Sequence, residues 1–339
     1  MNTTLLRRTA PAALALGALA ALTACGSAVT AAGAGGGTAA ADGYPVTVEN
    51  CGRTLTVDSA PERIVGLSPA QTELLVRLGL ADRLAGQAQT DMHELPNDVA
   101  PQVTDVPVLS TSTPPARETL LEVHPDAVVA PTEYEFTAEQ GFATIDQLAQ
   151  AGAVTYVAAG GCSERRATGE VTDLFTDIDA LGRIFGVTGA AEDLAAEARA
   201  DLQAVDEAVA DRPRPSVAQL YVEGKTLAAI GAGVEYDMIA RAGGDNVFNP
   251  EEKLFEQFFS AIISPEEVAA RNPDAIVFAV RDQAEEARVR EYLRQTFPDV
   301  TAVKEDRLVA LRTPDTFPGT LGNVTAVRTI AEALHPDAF

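Results

Sequence analysis

Apolar residues fall into two patterns along this chain. Short continuous apolar runs predict buried strands, and longer segments with apolar residues every three or four positions predict helices. In the first half, helices are predicted at 117–123 and 142–151, and strands at 63–67, 83–86, 106–109, 127–130 and 154–157. Ser68, Pro69 and Gln71 have the order expected for a capped helix start. Short strands separated by helices predict a mostly parallel sheet.

Two longer helices follow this region. The first is predicted around 171–181, and the second spans about 189–210, before the breaker segment 211–215. The second helix has one apolar stripe, formed by Ala191, Leu194, Ala195, Ala198, Leu202, Val205 and Val209. We interpret it as the link to a second lobe, with strands predicted at 217–222, 275–280 and 307–311 and helices at 285–296 and 323–334.

The stretch 118–129 returns 148 positions later as 266–277. In both copies a glutamate opens a short helical pattern, a Pro-Asp pair ends it, and an apolar strand run follows. Because proline disfavours helix in the residue before it, His124 and Asn272 mark the same helix end. Many α/β proteins have Pro-Asp before a strand, but here the glutamate, the helix end and the strand keep register. The repeat predicts two similarly built lobes with a ligand cleft between them.

The N-terminus resembles an export signal. Arg7 and Arg8 precede an apolar segment at 10–22, which is too short to span a bilayer. Small residues then lead to Cys25 and Gly26, as in a bacterial lipobox, which predicts lipidation of Cys25. The alternative is an ordinary signal peptide cleaved near Ala24. The Gly- and Ala-rich stretch up to residue 41 predicts a flexible tether. The predicted organisation is signal peptide 1–24, tether 25–41, N-terminal lobe 42–187, linking helix 188–212 and C-terminal lobe 213–339.

The net charge argues against two classes of binding partner, and the cysteine content predicts a disulfide. Removal of residues 1–24, which contain two arginines and no acidic residue, leaves a net charge of −26. Such a charge argues against binding nucleic acid or lying flat on anionic lipid. Cys51 and Cys162 then remain, and two cysteines in an oxidising compartment most simply form a disulfide. Two free thiols are the alternative.

Several motifs together carry a family resemblance. They occur in order at 61–75, 78–79, 125–126, 180–186, 242–248, 263–268 and 272–274. Behind a lipobox, this series resembles the substrate-binding lipoproteins of ABC importers for iron–siderophore complexes, haem and cobalamin. The opening 44–52 with its cysteine is similar to an actinobacterial branch. The resemblance implies an α/β protein with two Rossmann-like lobes, mostly parallel sheets, one rigid linking helix and a ligand cleft between the lobes.

The resemblance also implies a role for the repeat. In this family a surface glutamate on each lobe docks onto arginines of the membrane permease, and the matching positions are Glu118 and Glu266. The implied partners are an ABC permease dimer and its ATPase subunits. The alternative is that each glutamate only stabilises the first turn of its helix through the helix dipole.

Ligand groups are expected on loops at the carboxyl ends of strands. Tyrosines there offer flat faces with a hydroxyl, and arginines offer paired donors for ligand oxygens. Core packing for each tyrosine and solvated surface for each arginine are the alternatives. The predicted ligand-binding residues are Ser68, Tyr134, Arg165, Arg166, Tyr221, Tyr236, Arg281 and Arg312.

A ferric siderophore is the expected ligand, with no permanent cofactor. The chain has only three histidines, His93, His124 and His335, so capture of a bare metal ion is not expected. Haem through Tyr134 or Tyr236, cobalamin, or another organic cofactor are alternatives, although the absence of Trp disfavours cobalamin. A lipoprotein enzyme or sensor domain is a further class, but no catalytic motif is recognisable. We expect a monomer that a lipid anchors on the extracytoplasmic face of the cell membrane.

Overall fold

The computed structural model describes residues 43–224 and 226–339. The predicted signal peptide, the predicted lipidation at Cys25 and the predicted tether therefore lie outside the described residues. Among the helices of the described part, none combines the length and the apolar character that crossing a membrane requires.

The N-terminal lobe is built on a four-stranded parallel sheet in the order β4-β3-β5-β6. A two-stranded antiparallel hairpin precedes it. The elements are β1 (Val46–Asn50), β2 (Arg53–Val57), β3 (Ile64–Gly66), α1 (Pro69–Arg77), β4 (Leu84–Gln87), α2 (Arg117–Glu122), β5 (Ala127–Ala130), α3 (Ile145–Gln150) and β6 (Val154–Val157). The run 106–109, predicted as a strand, contributes only a single parallel bridge between Val108 and Gln87.

Two helices connect the lobes: α4 (Asp173–Phe185) and α5 (Thr188–Val209). The buried face of α5 contains most of the predicted apolar stripe, and it belongs to one core that also includes residues of both sheets. Small side chains let α4 and α5 approach closely, since a Cβ added at Gly182 would lie 2.4 Å from the Cβ of Ala191. Each fully buried Leu or Val on α5 contributes about 1.5–3 kcal/mol to folding. The linking helix is therefore held along its length by both lobes.

The C-terminal lobe contains a larger, mixed sheet in the order β10-β8-β7-β11-β12, with β9 beside β7. Its strands β7, β11 and β12 are parallel, but β8 and β10 are antiparallel additions that the sequence analysis did not predict. The elements are β7 (Ser216–Glu223), β8 (Thr226–Ile230), α6 (Gly233–Arg241), β9 (Asp245–Asn246), β10 (Ser260–Ile262), α7 (Pro265–Arg271), β11 (Ala275–Val280), α8 (Gln283–Thr296), α9 (Thr301–Lys304), β12 (Leu308–Arg312) and α10 (Gly322–Leu334).

The sequence repeat corresponds to a structural repeat. His124 after α2 and Asn272 after α7 both adopt the left-handed conformation, with φ values of 46° and 44°. The aspartate of each Pro-Asp pair then accepts hydrogen bonds at the start of the neighbouring strand. Asp126 accepts from the backbone N–H groups of Glu62 and Arg63, which lead into β3. Asp274 accepts from the backbone N–H and the hydroxyl of Ser216, which begins β7.

Candidate functional site

A cavity of about 640 Å³ lies between the two lobes. This volume is within the usual range for small-molecule sites, roughly 300–1,000 Å³. The N-terminal wall comes from loops that follow β4, β5 and β6, as expected for the carboxyl ends of parallel strands. The C-terminal wall comes from the end of β8 with the first turn of α6, the segment 258–260, and the loop 313–318 after β12.

At the floor of the cleft, the backbones of two loops approach each other closely. Gly160 and Gly161 follow β6 and line the cavity. A Cβ added at Gly161 would lie 1.9 Å from the carbonyl oxygen of Pro131, so no other residue fits without moving the backbone. The loops after β5 and β6 are thereby held against each other beneath the ligand space.

Aromatic and aliphatic side chains dominate the cavity lining. Phe258 and Phe259 are in contact, with ring centroids 4.4 Å apart. The guanidinium of Arg166, from the N-terminal wall, lies 5.6 Å from the centroid of Phe258 on the opposite wall. Such a cation–π pair is worth about 0.5–1 kcal/mol at an exposed site. The remaining apolar lining comprises Met92, Pro114, Leu220, Ile230, Ala232, Val234, Ala279, Phe317 and Pro318.

Two carboxyl side chains face this apolar space, one from each lobe. Glu135 accepts a hydrogen bond from the hydroxyl of Thr132 at 2.7 Å, and burial raises the pKa of its carboxyl. Glu235, in the first turn of α6, accepts a hydrogen bond from the side-chain amide of Gln219, and burial raises its pKa to about 8. Both carboxyls are therefore more readily protonated than an exposed glutamate.

Three of the predicted ligand-binding residues line the cavity: Tyr134, Arg166 and Tyr221. Tyr134 is 50% exposed and Tyr221 44% exposed, so both rings are accessible to a ligand. The hydroxyl of Tyr221 donates to Glu223 at 3.0 Å. These residues bring both walls of the cleft within reach of one molecule.

The other predicted residues lie outside the cavity lining. Ser68 is the N-cap of α1, and Tyr236 lies on α6 rather than on the predicted loop. Three arginines already have carboxylate partners within their own lobe: Arg165 with Asp173 at 2.6 Å, Arg281 with Glu285 at 2.8 Å, and Arg312 with Asp315 at 2.6 Å. The structure therefore does not gather the four predicted arginines around one anion.

Several lining residues were missed in the sequence analysis. Gln89 follows β4 with a positive φ of 57°, and its side chain donates to the carbonyl of Leu67 at 2.6 Å. Glu135 and Glu235 directly adjoin the predicted residues Tyr134 and Tyr236 in the sequence, but neither glutamate was predicted. Phe258 and Phe259 form an aromatic pair in a polar segment, which is a signal that could have indicated a binding surface.

Cys51 and Cys162 form a disulfide in the structure. Cys162 precedes a loop, 163–171, that contacts the other lobe. The backbone N–H of Gly233 donates to the carbonyl of Ala167 at 3.2 Å, and the backbone N–H of Val171 donates to the carboxylate of Asp237 at 2.8 Å. The disulfide therefore anchors a loop that carries Arg166 into the cleft.

The repeated glutamates are on the surface, one on each lobe. Glu118 is exposed in the first turn of α2, and its carboxylate lies 2.5 Å from the guanidinium of Arg117. A backbone hydrogen bond and Arg117 lower the pKa of Glu118. Glu266 is exposed in the first turn of α7, whereas its neighbour Glu267 accepts the backbone N–H of Ser264 at 2.7 Å.

Comparisons with known proteins agree with this architecture. An uncharacterised ABC transporter substrate-binding lipoprotein of Bacillus subtilis is 23% identical over 87% of each chain. A cobalamin-binding protein of Halobacterium salinarum is 27% identical, over 70% of this chain and 59% of the relative. A solved periplasmic binding protein from Veillonella parvula superposes with a TM-score of 0.75 at 26% identity, covering 86% of this chain and 97% of the other. The periplasmic binding protein family profile matches residues 64–314, and the chain therefore belongs to that family.

Proposed function

We propose that this protein is the extracytoplasmic solute-binding component of an ABC importer. The observation that carries the proposal is the cavity of about 640 Å³ that both lobes line with aromatic side chains. The continuous core through α5 supports a receptor whose lobes keep a nearly fixed relation. The name of the Bacillus relative supports the ABC transporter assignment.

We propose a ferric siderophore that carries no strong negative charge as the ligand. A tris-hydroxamate complex of Fe(III) is uncharged, whereas a tris-catecholate complex is strongly anionic. Arg166 is the one basic residue among the cavity-lining residues of the described chain, and the lining also includes Glu135 and Glu235. Burying an anion against carboxyl groups without several cations would cost several kcal/mol. The charge balance of the cleft therefore favours the hydroxamate type.

Cobalamin is the second candidate. It is favoured by the name of the Halobacterium relative, and its amide groups would suit the hydroxyl and carboxyl groups of the cleft. A ligand that binds only the folded protein stabilises it and raises its melting temperature. At a free ligand concentration of a hundred times Kd, the stabilisation is about 2.7 kcal/mol. We expect ferric tris-hydroxamates to stabilise the protein and ferric tris-catecholates to leave it unchanged. Stabilisation by cyanocobalamin alone would instead support the second candidate.

We further propose that lipid on Cys25 and the tether at 25–41 hold the protein at the membrane. The sequence around Cys25 supports this proposal, together with the lipoprotein name of the Bacillus relative. The Cys25→Ala variant should incorporate no palmitate during growth. Labelling equal to that of the wild type would contradict lipidation at this residue.

Glu118 and Glu266 are the proposed contacts with permease arginines. Their equivalent positions on two lobes, and their exposure, support docking onto a two-fold partner. Charged groups at a rim mainly set register and association rate. Replacing both with alanine should therefore reduce uptake of the ligand while its Kd is unchanged. Normal uptake by the double variant would reject docking at these residues, and a parallel loss of ligand affinity would place them at the ligand instead.

A further inference from the structure

Glu235 occupies an unusual position for a carboxyl group. It lines the cavity, and its hydrogen-bond donor is the side-chain amide of Gln219, which is fully buried on β7. The second polar atom of that amide, Oε1, is a buried acceptor without a hydrogen-bond partner among the described residues. Apolar residues of the same lobe, Leu220, Ile230, Ala232 and Val234, line the cavity together with Glu235. Glu235, which unlike Gln219 lines the cavity, therefore has spare capacity to accept a donor from the ligand side.

No basic group of the described residues compensates this carboxyl with an ion pair. The arginines on the surrounding elements have other partners: Arg241 on the same helix pairs with Asp237, Arg281 at the end of β11 pairs with Glu285, and Arg166 on the opposite wall lies over Phe258. Glu135 on the opposite wall adds a second acid to the lining. The cleft thus has a deficit of positive charge that a ligand could supply.

The two cleft carboxyls differ in how their own lobes satisfy them. Glu135 is 5% exposed and is held by the hydroxyl of Thr132 at 2.7 Å. Thr132 also accepts the backbone N–H of Tyr134, so the loop fixes this carboxyl in place. Glu235 has only the amide of Gln219. Of the two, Glu235 is the group left to pair with a ligand.

The protonation of Glu235 follows from the same surroundings. Burial raises its pKa to about 8, although the start of α6 is the end of a helix dipole that favours a negative charge. With no cation beside it, Glu235 is therefore more readily protonated than an exposed glutamate. A cation brought next to it would lower the pKa and release the proton.

We propose that Glu235 is a specificity-determining residue that accepts a cationic group of the ligand, such as an ammonium. This inference rests on the proposed siderophore-binding function and assigns the preferred class within it. The protein would then prefer a ferric tris-hydroxamate with a terminal ammonium over the same complex with that ammonium acetylated. Hydrogen bonds to charged groups are worth about 1.5–3 kcal/mol, which corresponds to a preference of roughly 10- to 150-fold.

The test uses both ferric complexes as probes and titration calorimetry with the full-length protein. We expect the wild type to bind the ammonium complex at least about tenfold more tightly, and Glu235→Gln to bind the two complexes equally. Glu135→Gln is the matched control, since it removes a cleft carboxyl that its own lobe already satisfies, and it should keep the preference. Melting temperatures of the variants verify that each is folded.

A second measurement needs no variant. The affinity of the wild type for the ammonium complex should rise between pH 6 and 8 as Glu235 ionises, and titrations in buffers of different ionisation enthalpy should show proton release. The acetylated complex should show neither effect. Equal affinity of the wild type for the two complexes would overturn this inference and leave the proposed function standing. Binding of neither complex would overturn both, and a preference that survives Glu235→Gln would overturn the role of Glu235 alone.

Discussion

The N-terminal lobe forms its wall of the cleft from loops after parallel strands, and a disulfide anchors one of them. The C-terminal lobe forms its wall partly from a loop after a parallel strand and partly from elements without a counterpart in the other lobe, the antiparallel strands β8 and β10. Both lobes nevertheless share the helix–turn–strand unit with its left-handed turn and its strand-capping aspartate. The repeated unit lies outside the cavity lining, whereas elements that differ between the lobes form part of it.

Loss of the disulfide should have the largest effect on stability. It removes a cross-link within the N-terminal lobe. Its two cysteines are 111 residues apart, and closing a loop of this length stabilises a protein by about 5 kcal/mol in the chain-entropy account. Cys51→Ser with Cys162→Ser should lower the free energy of unfolding by about that amount, measured by urea denaturation. The neighbouring Asn50 side chain, which exchanges two hydrogen bonds with the backbone of Val157, should still hold β6 in place. An unchanged unfolding midpoint would show that these bonds suffice without the disulfide.

The prediction of the repeat succeeded because its signals are local. A helix that ends before Pro-Asp requires only the residues within one turn, so the equivalence of 118–129 and 266–277 could be recognised from sequence. The same holds for the stripe of α5, whose spacing reports one buried face. Strands β8 and β10 were missed because antiparallel additions at a sheet edge depend on tertiary pairing.

The sequence did not show which of the predicted arginines line the cleft. Arg281 and Arg312 follow strands, as expected of ligand-binding residues, but each has an acid three or four positions later that binds it. An acid at this spacing is visible in the sequence and indicates a salt bridge within the lobe. Glu235 gave no comparable signal, since its hydrogen-bond donor, Gln219, lies 16 positions away on another element.

Buried carboxyls near the cleft should make stability depend on pH. In the N-terminal half, Asp177 accepts hydrogen bonds from the Tyr156 hydroxyl and the Ala159 N–H, both at 2.8 Å. Burial raises its pKa to about 7, so the folded state keeps a proton that the unfolded state releases above about pH 4. Stability contributed by this group therefore falls as the pH rises from about 4 to about 7, and does not fall further above that.

The Asp177→Asn variant should remove this dependence, because asparagine keeps the accepting oxygen and carries no charge. We expect it to exceed the wild type by about 4 kcal/mol in unfolding free energy at pH 8 and to match it near pH 4. Glu235→Gln is the counterpart in the C-terminal lobe, and its window should extend to about pH 8. A wild-type curve that is flat between pH 4 and 8 would contradict the assignment for both lobes.

The two strand-capping aspartates allow a direct comparison of the repeated unit. Asp274 bonds both the N–H and the hydroxyl of Ser216, whose oxygen in turn accepts the N–H of Asp274, and these bonds lower its pKa. Asp126 accepts from two backbone N–H groups at a more exposed site. Asp274→Ala should cost about 2 kcal/mol and Asp126→Ala about 1 kcal/mol. The Asp274 contribution should disappear as the pH falls through its lowered pKa, and equal losses at all pH values would argue against it.

The smallest expected difference lies at the starts of the two repeated helices. Helix α7 begins with Ser264, and Glu267 accepts the backbone N–H of that residue, whereas α2 begins at Ala116 without a side-chain cap. The position in α2 that corresponds to Glu267 is Thr119. Glu267→Ala should therefore lower the unfolding free energy by about 0.5–1 kcal/mol, and Thr119→Ala should have little effect.

Because Glu266 adjoins Glu267 but makes no cap, uptake assays on both single variants can separate the two roles. Loss of uptake in Glu266→Ala without loss of stability, and loss of stability in Glu267→Ala without loss of uptake, is the expected pair of results. The reverse pair would show that the exposed glutamate maintains the helix and that the capping glutamate contacts the permease.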